Sequence, residues 1–553
     1  MIDSIKQKAL LFLFLLLSTS ILAQDNKRVS DTIRWEVDDA TVSVQDVIID
    51  SNQVLVIGPG VRFIMVGSHS IIVYGEVLAL GEADKPIRFS SSDEEWGWDD
   101  TATVAGGWGG FRFMNGAGKR SEFHHCIFKR GKNNIPGTQF ATGSDALVDN
   151  EPRNFGGVIY AENYGTLMFE NCRFQENMSR TAGGAIFVRN IDTVLIRNCY
   201  FYDNKTLHQG GAVWCGEYDY LHIAQSHFIR NTAINGDIGW LSKSTDYILD
   251  QGTAAAIGIR CFRQGANTII ENSRFHNNRS FWCVVELTAY NVIFSNNLMT
   301  NNYSTSINSL IMGGNVGWRH VYNNTFAYNK TPMMYATFFA SNRFTLQNNI
   351  IWQNRCTCVE FPRHNVIECI SSYEDWQVAN NVVWEGRYEN GTDIITDDPL
   401  FVNPAPLSGI DFNGWEYDWR LRNDSPAINA GSSQTYYGYE LPEFDFEGNP
   451  RVAGSVDIGC YENQTVIGIN ENKMSDLVTI YPNPFHNSFK IKLNKGEDTA
   501  QISVYNATGV AVVRQQITSE SNEITLENVP SGLYFLSVEV PNGNRITTKI
   551  VKE

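Results

Sequence analysis

Residues 155–231 decide the fold, because one pattern is written there three times. Its first half reads FGGVIY at 155–160, AGGAIF at 182–187 and QGGAVW at 209–214. Its second half reads NCRFQEN at 171–177, NCYFYDN at 198–204 and QSHFIRN at 225–231, so both halves repeat at an interval of 27 residues. A fixed period of this length is typical of a solenoid. Short β-branched and aromatic runs between Gly and Asn turns, with no amphipathic helix, predict that each unit is one coil of a parallel β-helix.

The second half of the pattern continues on both sides of these three copies. It begins as HCIF at 125–128, and its last copies centre on the apolar residues Phe275, Met299, Phe326, Ile351 and Val383. A single coil is too thin to bury an apolar face, so these residues are predicted to point into one shared core. The Asn residues three positions before and after them predict turns, where Asn tolerates a left-handed backbone and its amide can bond the same amide one rung away. Longer intervals indicate inserted loops at 131–152 and 233–253.

The composition favours a folded protein of several modules. The chain has 553 residues, which is long for one globular core and natural for a solenoid with appended modules. Its 43% hydrophobic and 19% charged residues are typical of folded chains. The formal net charge of −17 argues against nucleic acid or an anionic lipid surface as a partner, since both need clustered Lys and Arg. It disfavours polyanionic sugars only weakly, because a local basic groove can lie on an acidic protein.

Residues 1–23 have the pattern of a secretory signal peptide. Lys6 and Lys8 precede an apolar run at 9–17, and small residues lead to a cleavage point after Ala23. The run is shorter than the roughly 20 residues that a membrane-spanning helix needs, and no later segment is apolar enough to span. The residue directly after the cleavage point is Gln24 and not Cys, which argues against a lipoprotein. The mature chain is therefore expected to be exported, without a transmembrane segment.

The ten Cys residues are then expected in an oxidising compartment. Cys126, Cys172 and Cys199 share the slot two residues before the central Phe, which places them on the same face of the strand as that Phe. They are predicted to be buried thiols. The better disulfide candidates lie outside this slot, and the sequence alone cannot pair them: Cys356, Cys358, Cys369 and Cys460. The single residue between the first two argues against a zinc site.

The region before the repeats carries a resemblance to a known family. Residues 56–91 read VIGPGVRFIMVGSHSIIVYGEVLALGEADKPIRFSS, and GWGGFRF follows at 107–113. These short strands with Gly and Pro between them resemble the opening coils of secreted right-handed parallel β-helix proteins, the pectin-lyase-like superfamily. The resemblance implies an all-β chain with a right-handed parallel β-helix over 24–397. It also implies a charged, aromatic-edged face of the kind on which such enzymes hold oligosaccharides.

The pattern changes at residue 398. The motifs DPLFV at 398–402, DSPAINAG at 424–431 and VDIGCYE at 456–462 resemble the segment that closes many bacterial β-helix proteins. Residues 398–463 are therefore expected to cover the open apolar end of the solenoid, which would otherwise stack on a neighbour. Residues 464–475 are polar and are expected to form a linker.

The last module, 476–553, alternates short strands. Seven strands in so short a stretch predict a small β-sandwich. Four motifs, YPNPF at 481–485, YNATG at 505–509, PSGLY at 530–534 and TKIVK at 548–552, resemble the type A C-terminal sorting domain of the type IX secretion system of Bacteroidetes. The resemblance implies that 476–553 engages the secretion machinery and is then removed, which leaves the protein attached to the outer surface or released. An adhesive β-sandwich is the alternative.

The repeat also brings together residues that could carry chemistry. The 27-residue offset aligns Tyr160, Phe187 and Trp214 in one column, which is expected to be core, and Glu162 beside Arg189 in another, as a cross-rung ion pair. A lyase needs a base and a cation, and a hydrolase needs two carboxylates roughly 5–9.5 Å apart. The candidate catalytic residues are Glu162, Arg189, His208, Arg260 and Glu286.

No family motif singles out a reaction among these candidates. The polygalacturonase-like Asp motifs and the pectate-lyase Arg-Pro-x-x-Arg pattern are both absent from the sequence. Three functions therefore stay open: a surface protein that binds glycan or mediates adhesion, a polysaccharide lyase or glycoside hydrolase, and a mainly structural surface protein.

One acidic loop is a candidate for Ca²⁺. It holds five carboxylates, those of Asp93, Glu94, Glu95, Asp99 and Asp100. Ca²⁺ takes six to eight oxygen ligands, but the spacing differs from that of an EF-hand, so a solvated loop is the alternative.

Overall fold

The computed structural model divides the chain into two compact units, Met1–Asn463 and Gln464–Glu553. The structure describes residues 31–36, 40–92, 97–135, 152–233, 254–304, 311–313, 317–331, 335–340, 343–356, 365–369, 376–384, 391–464, 478–493, 499–506, 510–519, 522–539 and 545–553. The predicted signal peptide at 1–23 and most of the predicted linker at 464–475 lie outside these residues.

The first unit is a parallel β-helix with three sheets along its length. The long sheet has 19 strands in the described residues: β1 (Asp31–Trp35), β3 (Val47–Ile49), β4 (Gln53–Ile57), β6 (Ser70–Val73), β7 (Glu76–Leu80), β9 (Gly110–His124), β12 (Ile159–Glu170), β15 (Ile186–Arg197), β18 (Val213–Ala224), β21 (Ile257–Arg260), β22 (Asn267–Glu271), β25 (Val285–Thr288), β26 (Asn291–Ser295), β29 (Ile311–Gly313), β30 (Trp318–Tyr322), β33 (Tyr335–Ala340), β34 (Phe344–Gln347), β37 (Asn365–Cys369) and β38 (Trp376–Ala379).

Two narrower sheets complete each coil. The flank sheet has 12 strands in the described residues: β2 (Ala40–Ser43), β5 (Arg62–Met65), β8 (Ile87–Ser91), β10 (Cys126–Lys129), β13 (Arg173–Gln175), β16 (Tyr200–Tyr202), β19 (His227–Ile229), β23 (Arg274–His276), β27 (Leu298–Thr300), β31 (Thr325–Ala327), β35 (Ile350–Trp352) and β39 (Val382–Val383). The third sheet has eight: β11 (Lys132–Asn133), β14 (Met178–Ser179), β17 (Lys205–Thr206), β20 (Thr232–Ala233), β24 (Arg279–Ser280), β28 (Tyr303–Ser304), β32 (Lys330–Thr331) and β36 (Arg355–Cys356).

The repeated glycines are required where one coil passes into the next. Gly183 has φ +68°, a left-handed conformation that L side chains rarely adopt. Gly157, the second glycine of the pair in the previous coil, would place a Cβ 2.0 Å from the carbonyl oxygen of Gly184. The first glycine of each pair therefore sets the turn, and the second lets consecutive coils approach closely.

The central aromatic residues form the predicted core. The rings of Phe128, Phe174, Phe201, Phe228 and Phe275 stack on consecutive rungs with centroids 4.7 to 5.0 Å apart. All five side chains are completely buried. The prediction that the motif centres share one core is confirmed. The rings stack because the flank strands pair in parallel and in register.

Buried asparagines run beside this core as a ladder. Each amide nitrogen donates to the amide oxygen one rung on, at 2.9 to 3.0 Å, through Asn177, Asn204, Asn231, Asn278, Asn302, Asn329 and Asn354. The predicted amide ladder is confirmed. The left-handed residue of this turn is the one before the ladder, such as Glu176 with φ 54°, whereas the Asn that leads the motif is itself left-handed, as in Asn171 with φ 56°.

The position two residues before the core Phe is filled by different residue types along the rod. Cys126, Cys172 and Cys199 are buried free thiols, as predicted. The slot then passes through Ser226 and Ser273 to a second buried amide ladder, Asn297, Asn324, Asn349 and Asn381. The same position is thus filled by a small apolar group in the early coils and by a hydrogen-bonded amide in the later ones.

Residues 398–463 pack along the flank of the rod, and the expectation that they cover its open end stays a prediction. Trp419 and Ile458 of this segment are buried against Leu298, Ala327 and Ile350, which face outward from the flank sheet. These apolar side chains would otherwise expose a hydrophobic stripe, which explains why the segment lies there. The segment contains β40 (Phe401–Asn403), β41 (Asp418–Leu421) and short 3-10 turns at Gly414–Glu416 and Tyr436–Gly438; another precedes β12 at Pro152–Asn154.

Cys460 belongs to this flank cluster. It is a completely buried free thiol, and its backbone N–H donates to Thr325 Oγ1 at 3.2 Å. Its candidacy for a disulfide is therefore wrong. Cys358 and the side chains of Cys356 and Cys369 lie outside the described residues.

The second unit is a small antiparallel β-sandwich, as predicted. One sheet holds β42 (Val478–Tyr481), β43 (Ser488–Leu493) and β46 (Asn522–Thr525), and the other holds β44 (Thr499–Asn506), β45 (Ala511–Thr518), β47 (Gly532–Glu539) and β48 (Arg545–Lys552). Side chains from both sheets, among them Ile491 and Ile502, form one core. In the described parts of both units we find no helix with the length and apolarity to span a membrane.

Candidate functional site

The predicted residues lie mainly on what we call the strand face, the outward side of the long sheet at Tyr160, Glu162, Phe187, Arg189, Trp214, Arg260 and Glu286. The aromatic column is buried, with Tyr160, Phe187 and Trp214 2%, 0% and 1% exposed, but it faces outward, so the expectation that it belongs to the core of the rod is wrong. They form a cluster separate from the rod's interior together with Phe155, which lies just before β12 and has its ring 4.6 Å from that of Phe187.

Glu162 and Arg189 form the expected ion pair across one rung. Arg189 Nε donates to Glu162 Oε1 at 2.8 Å, and the Tyr160 hydroxyl donates to Glu162 Oε2 at 2.6 Å. Burial, followed by this bond to Glu162, raises the pKa of Tyr160 well above its ordinary value. Both oxygens of the carboxylate are therefore engaged by neighbouring side chains.

Arg260 and Glu286 form a second, deeper pair. Arg260 Nε donates to Glu286 Oε1 at 2.7 Å, and the Glu286 side chain is only 2% exposed. The strand register places Glu162 and Glu286 four rungs apart, about 19 Å at about 4.8 Å per rung. That separation exceeds the roughly 5–9.5 Å between the two carboxyl groups of a glycoside hydrolase.

The remaining predicted residues lie elsewhere. His208 is buried on the turn that leads into β18, next to Gln209, which accepts a hydrogen bond from the Trp214 indole at 3.1 Å. Asp93, Glu94 and Glu95 of the acidic loop lie outside the described residues, while Asp99 and Asp100 are exposed.

An internal cation already contacts the acidic loop. The Lys132 ammonium donates to the carbonyl oxygens of Gly97 and Ala105 at 2.5 and 2.6 Å. Burial lowers its pKa to about 8, against the opposing effect of Asp100 and Asp99. Within the described residues, no group of three or more His, Cys, Asp or Glu side chains is arranged to hold a metal ion.

A second site lies where the closing segment meets the flank sheet. This flank cleft is open, has a volume of about 700 Å³ and is lined by Asn198, Gln225, His227, Asn272, Arg274, Phe446, Glu447 and Asn449. Sequence reasoning missed it, because its two walls are far apart in the chain. One available signal was Arg274, a charged residue in the outward slot just before the core residue Phe275.

Arg274 is the cation of the flank cleft. Its guanidinium carbon lies 4.8 Å from the ring centre of Phe446 and 5.1 Å from that of Trp415. No carboxylate of the described residues forms an ion pair with it, whereas Arg189 and Arg260 on the strand face each have one. The rings contact the guanidinium, and within the described residues no carboxylate is close enough to form an ion pair with it.

His227 adds a neutral aromatic surface to the cleft. Its ring stacks on Tyr200 with centroids 4.4 Å apart and lies 5.3 Å from Trp415. Burial, and then the charge of Arg274, lower the pKa of His227 to about 4. His276, which also contacts Trp415, has its pKa lowered by burial in the same way. Both imidazoles are therefore neutral near pH 7.

Amide side chains form the floor of the cleft. Asn198, Gln225 and Asn272 occupy the same turn on three consecutive rungs, with φ values of 49°, 51° and 49°. The amide oxygen of Asn272 is buried with no hydrogen-bond partner in the described structure. The next amide along this row, Asn296, donates to the carbonyl oxygen of Phe444. The closing segment therefore covers the row beyond Asn272.

The opposite wall is fixed by a tight turn of the closing segment. Asp445 Oδ1 accepts hydrogen bonds from the backbone N–H groups of Glu447 and Asn449 at 2.9 and 2.8 Å. The buried Arg451 then ties the turn to the rod, since its guanidinium donates to Asn296 Oδ1 and, at 2.9 Å, to the carbonyl oxygen of Cys460. Phe446 and Glu447 are therefore presented on a rigid support.

Comparisons with known proteins agree with this architecture. Residues 139–316 match the family model of the right-handed β-helix region, and residues 479–553 match that of the secretion system C-terminal sorting domain. No curated protein sequence matches the chain. Among solved structures, a mutant of the periplasmic alginate epimerase AlgG is 11% identical, over 65% of this chain and 76% of its own, with a TM-score of 0.24. An alginate lyase from Paenibacillus sp. str. FPU-7 is 10% identical, over 62% and 91%, with a TM-score of 0.16.

The two matched regions coincide with the coils and with the sandwich. Residues 139–316 contain the three regular coils and all the residues of the strand face, and residues 479–553 contain nearly all of the strands of the second unit. The chain therefore carries a right-handed parallel β-helix and a type IX secretion system C-terminal sorting domain, which marks it for export to the outer cell surface or for release from it.

Proposed function

We propose that this exported rod binds glycan in the flank cleft and acts as a binding or adhesion protein of the cell surface. The observation that carries the proposal is the Arg274 guanidinium, which has no ion pair within the described residues and lies against the rings of Phe446 and Trp415 beside a row of amides. Aromatic rings cover the apolar face of a sugar, while guanidinium and amide groups bond its oxygens.

The strand face supports binding over catalysis. Glu162 and Glu286 are each held by an arginine, and they lie about 19 Å apart at about 4.8 Å per rung, too far to act on one glycosidic bond. In the flank cleft, His227 has a pKa of about 4 and is a weak base at neutral pH. A polysaccharide lyase or glycoside hydrolase remains the competing function.

Export supports a ligand outside the cell. The sorting domain delivers the rod across the outer membrane, with the type IX secretion machinery as the proposed partner of residues 476–553. A rod on the outer surface meets polysaccharides of other cells and of its surroundings. Ca²⁺ at the acidic loop is not needed for this proposal.

The test is retention on a panel of immobilised polysaccharides, with the full mature protein. We expect retention by the native protein and its loss in Phe446→Ala and Arg274→Met. The matched control is Arg230→Met, because Arg230 is an exposed arginine of a nearby turn that pairs with Asp203 outside the cleft.

The same incubations distinguish binding from catalysis. Ultraviolet absorbance of unsaturated uronates and assays of reducing ends would rise if the protein were a lyase or a hydrolase. Product formation, or an absence of retention across the panel, would overturn the proposed function.

A further inference from the structure

Resting on the proposed glycan site, we infer that its ligand is an acidic polysaccharide that lies along the rod axis. One carboxylate or sulfate group of the ligand is placed on Arg274, and consecutive sugar units contact Asn272, Gln225 and Asn198. The inference depends on the unpaired guanidinium, on the direction of the amide row and on the place where that row ends.

The chemistry of Arg274 selects an anion. Phe446 and Trp415 contact the guanidinium, so the N–H groups at its edge are what it can offer to a ligand. That edge matches carboxylate or sulfate oxygens through two parallel hydrogen bonds, and such charge-assisted pairs are stronger than bonds to hydroxyl groups. A neutral sugar would cover the cation without supplying a counterion, which costs free energy.

The amide row sets the direction of the ligand. Asn198, Gln225 and Asn272 follow the strand ends Arg197, Ala224 and Glu271, which pair directly across consecutive rungs. Their spacing is therefore about 4.8 Å along the axis, close to the length of one sugar unit in an extended chain. A ligand that lay across the rod would contact one of these amides and leave the other two.

The closing segment limits the row at one end. Beyond Asn272 the next amide, Asn296, is bonded to Phe444 and to Arg451 of that segment. At the other end, the amide nitrogen of Asn198 donates to the amide oxygen of Asn171 at 2.5 Å, and Asn198 is the last amide of this row that lines the cleft. A bound chain therefore extends from Arg274 toward Asn198, over the three rungs whose amides line the cleft. The ligand site is thus a short subsite row of about three sugar units at about 4.8 Å per rung.

The net charge of −17 opposes the approach of a polyanion at long range, and this does not change the preference at contact. At about 0.1 M salt, charges more than about 10 Å apart are largely screened. The pair between Arg274 and the ligand is formed at contact distance beside two rings, where screening is much weaker. Binding should therefore be measured at physiological salt.

The experiment compares matched polymers on the full mature protein. Dissociation constants are measured for a polyuronate and its carboxyl-reduced form, for a sulfated polymer and its desulfated form, and for a neutral glucan. We expect at least one acidic form to bind tenfold or more tightly than its neutral counterpart. The two pairs distinguish a carboxylate from a sulfate as the recognised group.

Variants and oligomer length make the inference falsifiable. Arg274→Gln should remove the preference for the acidic form while its far-ultraviolet circular dichroism stays native, and Arg274→Lys should keep part of it. Affinity should rise with oligomer length up to about three units and then level off. Equal binding of acidic and neutral forms would overturn this inference and leave glycan binding intact, whereas no binding of any polymer would overturn both. A preference that survives in Arg274→Gln, or a single sugar that binds as tightly as a trimer, would also overturn it.

Discussion

The strand face and the flank cleft both place arginines beside aromatic rings on the outside of the same rod. On the strand face, Arg189 and Arg260 are 28% and 22% exposed, and each is bonded to a glutamate. In the flank cleft, Arg274 lies against two rings and has no ion pair with the described carboxylates. Similar residues in similar surroundings thus differ in what they can offer to a ligand.

The difference shows that pairing, more than exposure, decides which charges of a solenoid are available. Consecutive coils bring residues of one column to about 4.8 Å, so an arginine on one rung is readily neutralised by a glutamate on the next. The neighbours of Arg274 in its column are His227 and Leu298, and neither carries a negative charge. The cleft therefore keeps a cation that the column cannot neutralise.

The largest effect is expected when a strand-face pair is broken. Arg260→Met leaves the carboxylate of Glu286, 2% exposed, without its main partner. The unfolding free energy should fall by about 3–5 kcal/mol, as is typical when one member of a buried ion pair is removed. Chemical denaturation would measure the change, and glycan retention should stay native.

A double variant controls for this prediction. Arg260→Met combined with Glu286→Leu removes both charges and should recover most of the lost stability, because no buried charge is left unpaired. If Arg260→Met were as stable as the native protein, Arg260 would not stabilise the buried Glu286 carboxylate. The proposed difference between paired arginines on the strand face and the arginine of the flank cleft would then be wrong.

The second effect concerns pH and the flank cleft. The pKa of His227 is about 4 in the folded protein against an ordinary value of 6.5, so the unfolded chain binds a proton first as the pH falls. Stability is therefore fully present above pH 6.5 and is lost between pH 6.5 and 4, by about 3 kcal/mol in total at about 1.4 kcal/mol per pKa unit. Denaturation midpoints across this range would measure it.

The control variant for this prediction is His227→Gln, and the charged groups around His227 must be considered with it. Arg274 acts on it from the adjacent strand β23, which also carries the buried His276, and Glu447 lines the same cleft. His227→Gln should flatten the pH dependence by this amount and leave the contribution of His276. An unchanged pH profile in His227→Gln would show that His227 is not held neutral by burial beside Trp415.

The interior of the rod could be predicted from the sequence, and the reason is its repetition. The period of 27 residues shows which residues occupy equivalent positions on consecutive rungs. Because side chains alternate along a strand, Phe174 and Cys172 are then expected to point inward together. The same period predicts the ion pair of Glu162 with Arg189. Within the regular coils, the residue that contacts a given position on the next rung is therefore found by adding 27 to its number.

The cleft could not be predicted, because no period relates its walls. Arg274 and Phe446 meet through the packing of a non-repeating segment on the flank, and the resemblance of 398–463 to closing segments suggested the open end instead. One signal was present in the repeats. Leu298, Ile350 and Trp352 are apolar in outward slots, which indicates that some part of the chain covers that face.

The third effect tests the unpaired cation directly. Arg274→Met should weaken binding of an acidic oligosaccharide about 30-fold or more, about 2 kcal/mol, because a charge-assisted bidentate contact is lost. The unfolding free energy should change by less than about 1 kcal/mol, since the contacts removed are those with two rings. Isothermal titration and denaturation on the same sample separate the two. The opposite result, a large loss of stability with binding intact, would assign Arg274 the structural role of Arg260.

The smallest effect is expected at the rim of the cleft. Glu447 is exposed, lines the cleft beside Phe446, and its side chain would face an acidic ligand with a like charge. Glu447→Gln should tighten binding of the acidic form about twofold, about 0.5 kcal/mol, in keeping with the small energy of exposed charge interactions. The gain should shrink as salt is raised and should be absent for the carboxyl-reduced or desulfated polymer. If Glu447→Gln weakened binding instead, the Glu447 carboxylate would accept hydrogen bonds from sugar hydroxyls. The carboxylate of the cleft, like those of the strand face, would then act as a hydrogen-bond acceptor.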